Sequence, residues 1–77
     1  MQTITSLKQV HKNTIKASYE DITESPYEYG IQSVEKDLDE ATNLIHENLE
    51  VYYGSSFDKQ VVKDYVKELL EEDRNRR

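Results

Sequence analysis

Apolar residues recur at helical steps in three stretches of the chain, separated by two clusters of turn-forming residues. In the first, about residues 6–22, Leu7, Val10, Ile15 and Ile22 read as one side, with His11, Thr14 and Ser18 among them. Thr5 or Ser6 is expected to cap its start, since a hydroxyl there satisfies an orphan backbone N–H. Thr3, Ile4 and Thr5, ahead of it, favour extended backbone. Pro26 pushes Ser25 out of the α region, so the helix must end before it. The segment 23–32 reads as an exposed loop holding Tyr27, Glu28 and Tyr29, with Gly30 as a second break.

The second stretch, about residues 33–53, has the strongest helical pattern: Val34, Leu38, Ala41, Ile45 and Tyr52 repeat at three- and four-residue steps, widened by Leu44 and Leu49. Ser33 is the expected N-cap, and Gly54 stands where a helix C-terminus often needs a left-handed residue. The third stretch, about residues 56–73, begins after Ser55 and Ser56, which read as caps. Its apolar residues Phe57, Val61, Val62, Tyr65, Val66, Leu69 and Leu70 spread over roughly 220° of a helical wheel, wider than the ~100° that one packing face needs. Residues 74–77 read as a frayed, basic tail.

This pattern predicts an all-α fold: a small three-helix bundle with the long second helix as its spine, in a single domain over residues 1–77. At 77 residues a core can supply only a few kcal/mol, but disulfides or metals are not obligatory. The absence of cysteine excludes a disulfide framework, a thiolate zinc site and a thiol nucleophile. No apolar run approaches a membrane span. Nothing in residues 1–16 resembles a signal peptide, so a cytoplasmic protein is the expectation.

Charge adds more than composition does. The net charge is -6, but residues 1–19 carry +3, residues 20–50 carry -9 and residues 51–77 balance. An acidic middle repels phosphate, which argues against direct nucleic-acid binding. The same field attracts a basic protein surface. Lys8, Lys12 and Lys16 repeat at four-residue steps, as do Lys59, Lys63 and Lys67, so each set lines one flank of its helix. Asp39, Glu40, Glu47 and Glu50 fall roughly opposite the Val34–Ile45 stripe, and Glu20, Asp21, Glu24 and Glu28 continue the acidic surface. The plain alternative is that these are solvated faces that keep a small bundle soluble.

Catalytic chemistry finds little support. His11 and His46 are the only histidines, and no HExxH, GxSxG or phosphate-cradling glycine loop is present. His11 reads as a hydrogen-bonded, half-buried histidine, and His46 as an outward, solvated one. No enzyme activity, metal or cofactor is expected. Tyrosine is over-used, with six in the chain. Tyr52, Tyr53 and Tyr65 are expected in or at the core; Tyr27 and Tyr29 are candidate interface anchors, because a tyrosine buries area and keeps a hydrogen bond, or alternatively rings that close over the end of the bundle.

The function these patterns favour is a non-enzymatic protein-binding module. In its most concrete form it is a small acidic regulator or inhibitor, of a kind suited to a phage or mobile element. It would dock on a basic, nucleic-acid-binding surface of a larger protein through Glu20, Asp21, Glu24, Tyr27, Glu28, Tyr29, Asp39, Glu40, Glu47 and Glu50. The alternatives are an antitoxin- or immunity-type partner, or an assembly bundle. The over-wide arc of the third helix predicts a homodimer through Val62, Val66, Leu69 and Leu70.

Overall fold

A computed structural model describes residues 2–76. Three helices, α1 (Gln9–Glu24), α2 (Leu38–Tyr53) and α3 (Lys59–Asn75), pack around one core, and two short strands, β1 (Thr3–Ile4) and β2 (Ser56–Phe57), tie the N-terminal segment to the α2–α3 connection. The strands pair in parallel, Thr3 opposite Ser56 and Ile4 opposite Phe57. The three helices are of nearly equal length, 16, 16 and 17 residues, so the expected spine is no longer than its neighbours.

The boundaries moved for local reasons. α1 starts at Gln9, because the residues before it are drawn into β1 and its approach. Its first turn is closed by His11, whose Nδ1 accepts the Lys8 N–H at 3.1 Å, rather than by Thr5 or Ser6. It ends at Glu24, with Ser25 outside the helical region as the following proline requires. The expected loop is partly ordered as a 3₁₀ turn, Pro26–Tyr29, closed by Gly30 at φ 74°. Ser33 caps a separate turn, accepting the Lys36 N–H on its side chain, and α2 begins only at Leu38. Gly54 ends α2 in the left-handed region at φ 62°, where a Cβ would be strained. Ser55 and Ser56 do not cap α3; Ser56 is in β2, and Asp58 caps through its carboxylate to the Gln60 N–H at 2.9 Å. At the other end the helix runs through Arg74, which pairs with Glu35, to Asn75 instead of fraying. Arg77, the last residue of the expected tail, lies outside the described residues.

Ile15, Tyr19, Ile22, Ala41, Ile45, Leu49, Val62, Val66 and Leu69 form the inter-helix core, extended by Ile31, Val34 and Phe57 from the connections. Val10 is not part of it. At five residues, or about 140° on the wheel, from Ile15, it is 54% exposed, and Tyr19 takes the core position instead. Tyr52 is likewise displaced outward, 70% exposed, because His11 and Phe57 cover that end of α2 on the side of Tyr53.

The proposed self-association strip is absent from the surface. Val62 and Val66 are fully buried, Leu69 is buried and Leu70 is half-buried, all within one chain. α3 lies in the angle between α1 and α2, and each neighbour covers part of its arc. The excess width of that arc therefore reflects two packing partners inside the monomer.

Candidate protein-docking face

The ten acidic and tyrosine positions expected to form one field separate into three settings. Two acids are committed to structure. The Asp39 carboxylate accepts from Lys63 Nζ at 2.6 Å, and this hydrogen bond together with the lysine charge holds its pKa below the ordinary 3.8. Glu50 Oε2 accepts the Phe57 N–H at 2.9 Å and lies 3.3 Å from His46 Nε2. His46 in turn donates Nε2–H to the Phe57 carbonyl at 2.7 Å. The outward, solvated histidine of the sequence is thus half-buried and bonded. The reason is tertiary: after Gly54 the chain folds back and sets both polar groups of Phe57 against α2.

Glu20 and Glu24 occupy the second setting. They line a cleft of about 270 Å³ between α1 and α3 with Lys16, Glu72, Asp73 and Arg76, where the two cations offset part of their charge. Beside them the Tyr19 hydroxyl donates to Asp73 Oδ2 at 2.6 Å, joining α1 to the end of α3.

The third setting is the outer side of the α1–α2 pair. Val10, Thr14, Ala17 and Asp21 follow at steps of four, three and four, and so do Glu40, Leu44, Glu47 and Val51, so each set forms one stripe along its helix. The helices are joined across this side by the Asn48 amide donating to Ser18 Oγ at 2.8 Å, and at one end by the Tyr53 hydroxyl donating to the Val10 carbonyl at 3.0 Å. A groove of about 200 Å³ opens between them, lined by Ser18, Asp21, Ile22, Leu44, Asn48 and Tyr29. Tyr29 brings the 3₁₀ turn to this groove; Tyr27 and Glu28 precede it in the same turn and are exposed.

Two asymmetries mark this side. The large apolar side chains most exposed among the described residues are Val10, Tyr27, Tyr29, Val51 and Tyr52, at 41–83%, and every one is on α1, the 3₁₀ turn or α2. None is on α3. The stripes also contain no lysine or arginine. The cations of α1 turn toward α3 instead: Lys12 Nζ is 5.7 Å from the ring centre of Tyr65, and Lys16 lines the α1–α3 cleft. The lysine periodicity was legible in the sequence, but its direction was not. Val51 and Ala17 were missed, although their spacing from Leu44 and Val10 already placed them on shared stripes.

Other chemistry is sparse. The His11 ring is buried edge-on between Tyr53 and Phe57, with centroids 4.9 and 5.0 Å away. Its Nδ1 is occupied by the Lys8 N–H, so both imidazoles serve packing and backbone contacts. Among the described residues no cluster of three or more histidines and carboxylates is placed to hold a metal ion. No helix of the described residues is long and apolar enough to cross a membrane. The chain matches no protein-family model, and no curated protein or solved structure is significantly similar to it.

Proposed function

We propose that this chain is a non-enzymatic protein-binding module, a small acidic regulator or inhibitor that docks on a basic surface of a larger protein through the outer side of α1, α2 and the 3₁₀ turn. One observation supports the reading: exposed Val10, Val51 and Tyr29 share that side with Asp21, Glu40 and Glu47, while the α1 lysines, Lys12 and Lys16, are directed toward α3. Exposed apolar side chains set among acids on one side of a small domain are the composition of an interaction site. Tyrosine supplies the anchors, and Asp21, Glu28 and Glu47 supply a field that steers a cationic partner and excludes anionic ones. Asp39 and Glu50, each tied to a partner within the fold, and Glu20 and Glu24, turned to another cleft, do not belong to this face.

The test is comparative capture from a lysate of the native host on the immobilised chain. The retained protein should be basic and should elute as salt rises. The Asp21→Lys/Glu47→Lys chain should lose it, whereas Lys59→Glu/Lys67→Glu, altered on α3, should keep it. Equal retention by wild type and the α1–α2 reversal would refute the docking face.

A further inference from the structure

We infer that the occupant of the α1–α2 face is a basic amphipathic helix, lying along the groove as a fourth helix of the bundle. This inference rests on the docking role just proposed and names the shape and charge of what docks. Three features of the face point to it.

The first is length. The stripes run most of the length of two antiparallel 16-residue helices, about 17 Å from Asp21 and Glu40, beside Tyr29, at one end to Val10 and Val51 at the other. An extended surface with spaced apolar anchors along its axis suits a helix, whose own anchors repeat at three and four residues. The second is the groove between the stripes. At about 200 Å³, over Ile22 and Leu44, it is smaller than the ~300 Å³ at which small-molecule pockets begin, and it can admit one large side chain from a helix laid across it. Ala17, with its small side chain, lets a helix backbone approach the centre of the α1 stripe.

The third is charge. Asp21, Glu40 and Glu47 lie on the stripes, with no stripe cation to answer them. Complementarity therefore asks for lysine or arginine flanking the apolar anchors of the incoming helix. The same charges argue against a second copy of this chain. A symmetric dimer through this face would bring Asp21, Glu40 and Glu47 of one copy toward the same acids of the other. The burial of Val62, Val66 and Leu69 removes the other apolar strip from consideration.

The probe is a synthetic 16-residue helix of leucine and lysine with its leucines on one face. Two companions accompany it, one with every lysine replaced by glutamate and one of the same composition with the face scrambled. Titrated into the isotopically labelled full chain, the lysine helix should shift amides along Val10, Ala17, Leu44 and Val51 and leave the outer side of α3 unmoved. Its affinity should fall at least about tenfold from low to high salt, and the glutamate and scrambled peptides should bind at least about tenfold more weakly. Val51→Lys and Ala17→Arg, both at exposed positions, should abolish the shifts while the circular dichroism spectrum stays that of the wild type.

Equal binding of the lysine and glutamate helices, shifts confined to α3, or no shifts at millimolar peptide would overturn the inference. So would a concentration-dependent dimer whose shifts map to the same face, which would make a second copy the occupant. If the native partner is captured in a manner that depends on Asp21 and Glu47 while the lysine helix fails to bind, the docking role stands and the helical occupant falls. If the helix binds and no partner depends on those acids, the docking role falls and the inference falls with it.

Discussion

Replacing Glu50 with alanine should destabilise the fold far more than the same change at Glu47, one turn earlier on the same helix. Glu50 Oε2 is the acceptor for the Phe57 N–H, and His46 donates to the Phe57 carbonyl, so this one residue of β2 has both backbone groups satisfied by α2 side chains four residues apart. Phe57 is itself buried and packs edge-on against His11. Alanine at 50 leaves its N–H without an acceptor in a part-buried site. An unsatisfied buried donor costs about 1–3 kcal/mol, and the partial exposure of Glu50 favours the lower half of that range. For a domain of this size each kcal/mol shifts the melting temperature by roughly 4–8 °C, so a fall of about 4–16 °C is expected. Glu47→Ala removes an exposed acid and slightly raises helix propensity, and should stay within about 0.5 kcal/mol of wild type. Glu50→Gln keeps a carbonyl acceptor and should lie between the two. Thermal and urea unfolding followed by circular dichroism measure all three. Amide exchange at Asp58, whose N–H bonds the Ile4 carbonyl, should accelerate in Glu50→Ala as the strand pair loosens. If Glu50→Ala and Glu47→Ala unfold within about 0.3 kcal/mol of each other, the bond to Phe57 contributes nothing and the reasoning fails.

Three further outcomes are expected. Thr42→Val should stabilise the chain by about 0.5–1.5 kcal/mol in urea unfolding, because the Thr42 hydroxyl is buried with no hydrogen-bond partner among the described residues; a loss of 1 kcal/mol or more would reveal one. By carboxyl NMR, Asp39 should titrate below 3.8 in the wild type and return toward it in Lys63→Met; since folding depresses this pKa, its stabilising contribution is present above 3.8 and disappears as pH falls through the folded value. Tyr27→Ala, at a ring 83% exposed, should leave the melting temperature within about 3 °C of wild type while weakening partner capture by at least about 1 kcal/mol, and a large thermal loss with intact capture would assign the ring to packing.

Periodicity and turn chemistry carried the local architecture. Three helices separated by Pro26 and Gly54 follow from the 3.6-residue repeat, from the exclusion of Ser25 from helical backbone, and from the left-handed residue at the end of α2, all properties of neighbours in the chain. The exposure of Tyr27 and Tyr29 followed in the same way. Side-chain direction did not, wherever it depended on which element arrives from elsewhere. Val66 looked surplus on a lone helix and is fully buried because α3 has two neighbours. His46 sits on the outward side of its helix until Phe57 folds back against it. Tyr52 and Tyr53 are adjacent and equally apolar, and only the placement of His11 and Phe57 decides which ring is covered. The acids show the same division: their abundance belongs to the sequence, but whether each meets an internal cation, a backbone N–H or open solvent is set by packing among residues distant in the chain. Local rules read short-range sterics and backbone hydrogen bonding, whereas a surface is defined by what tertiary contacts leave uncovered.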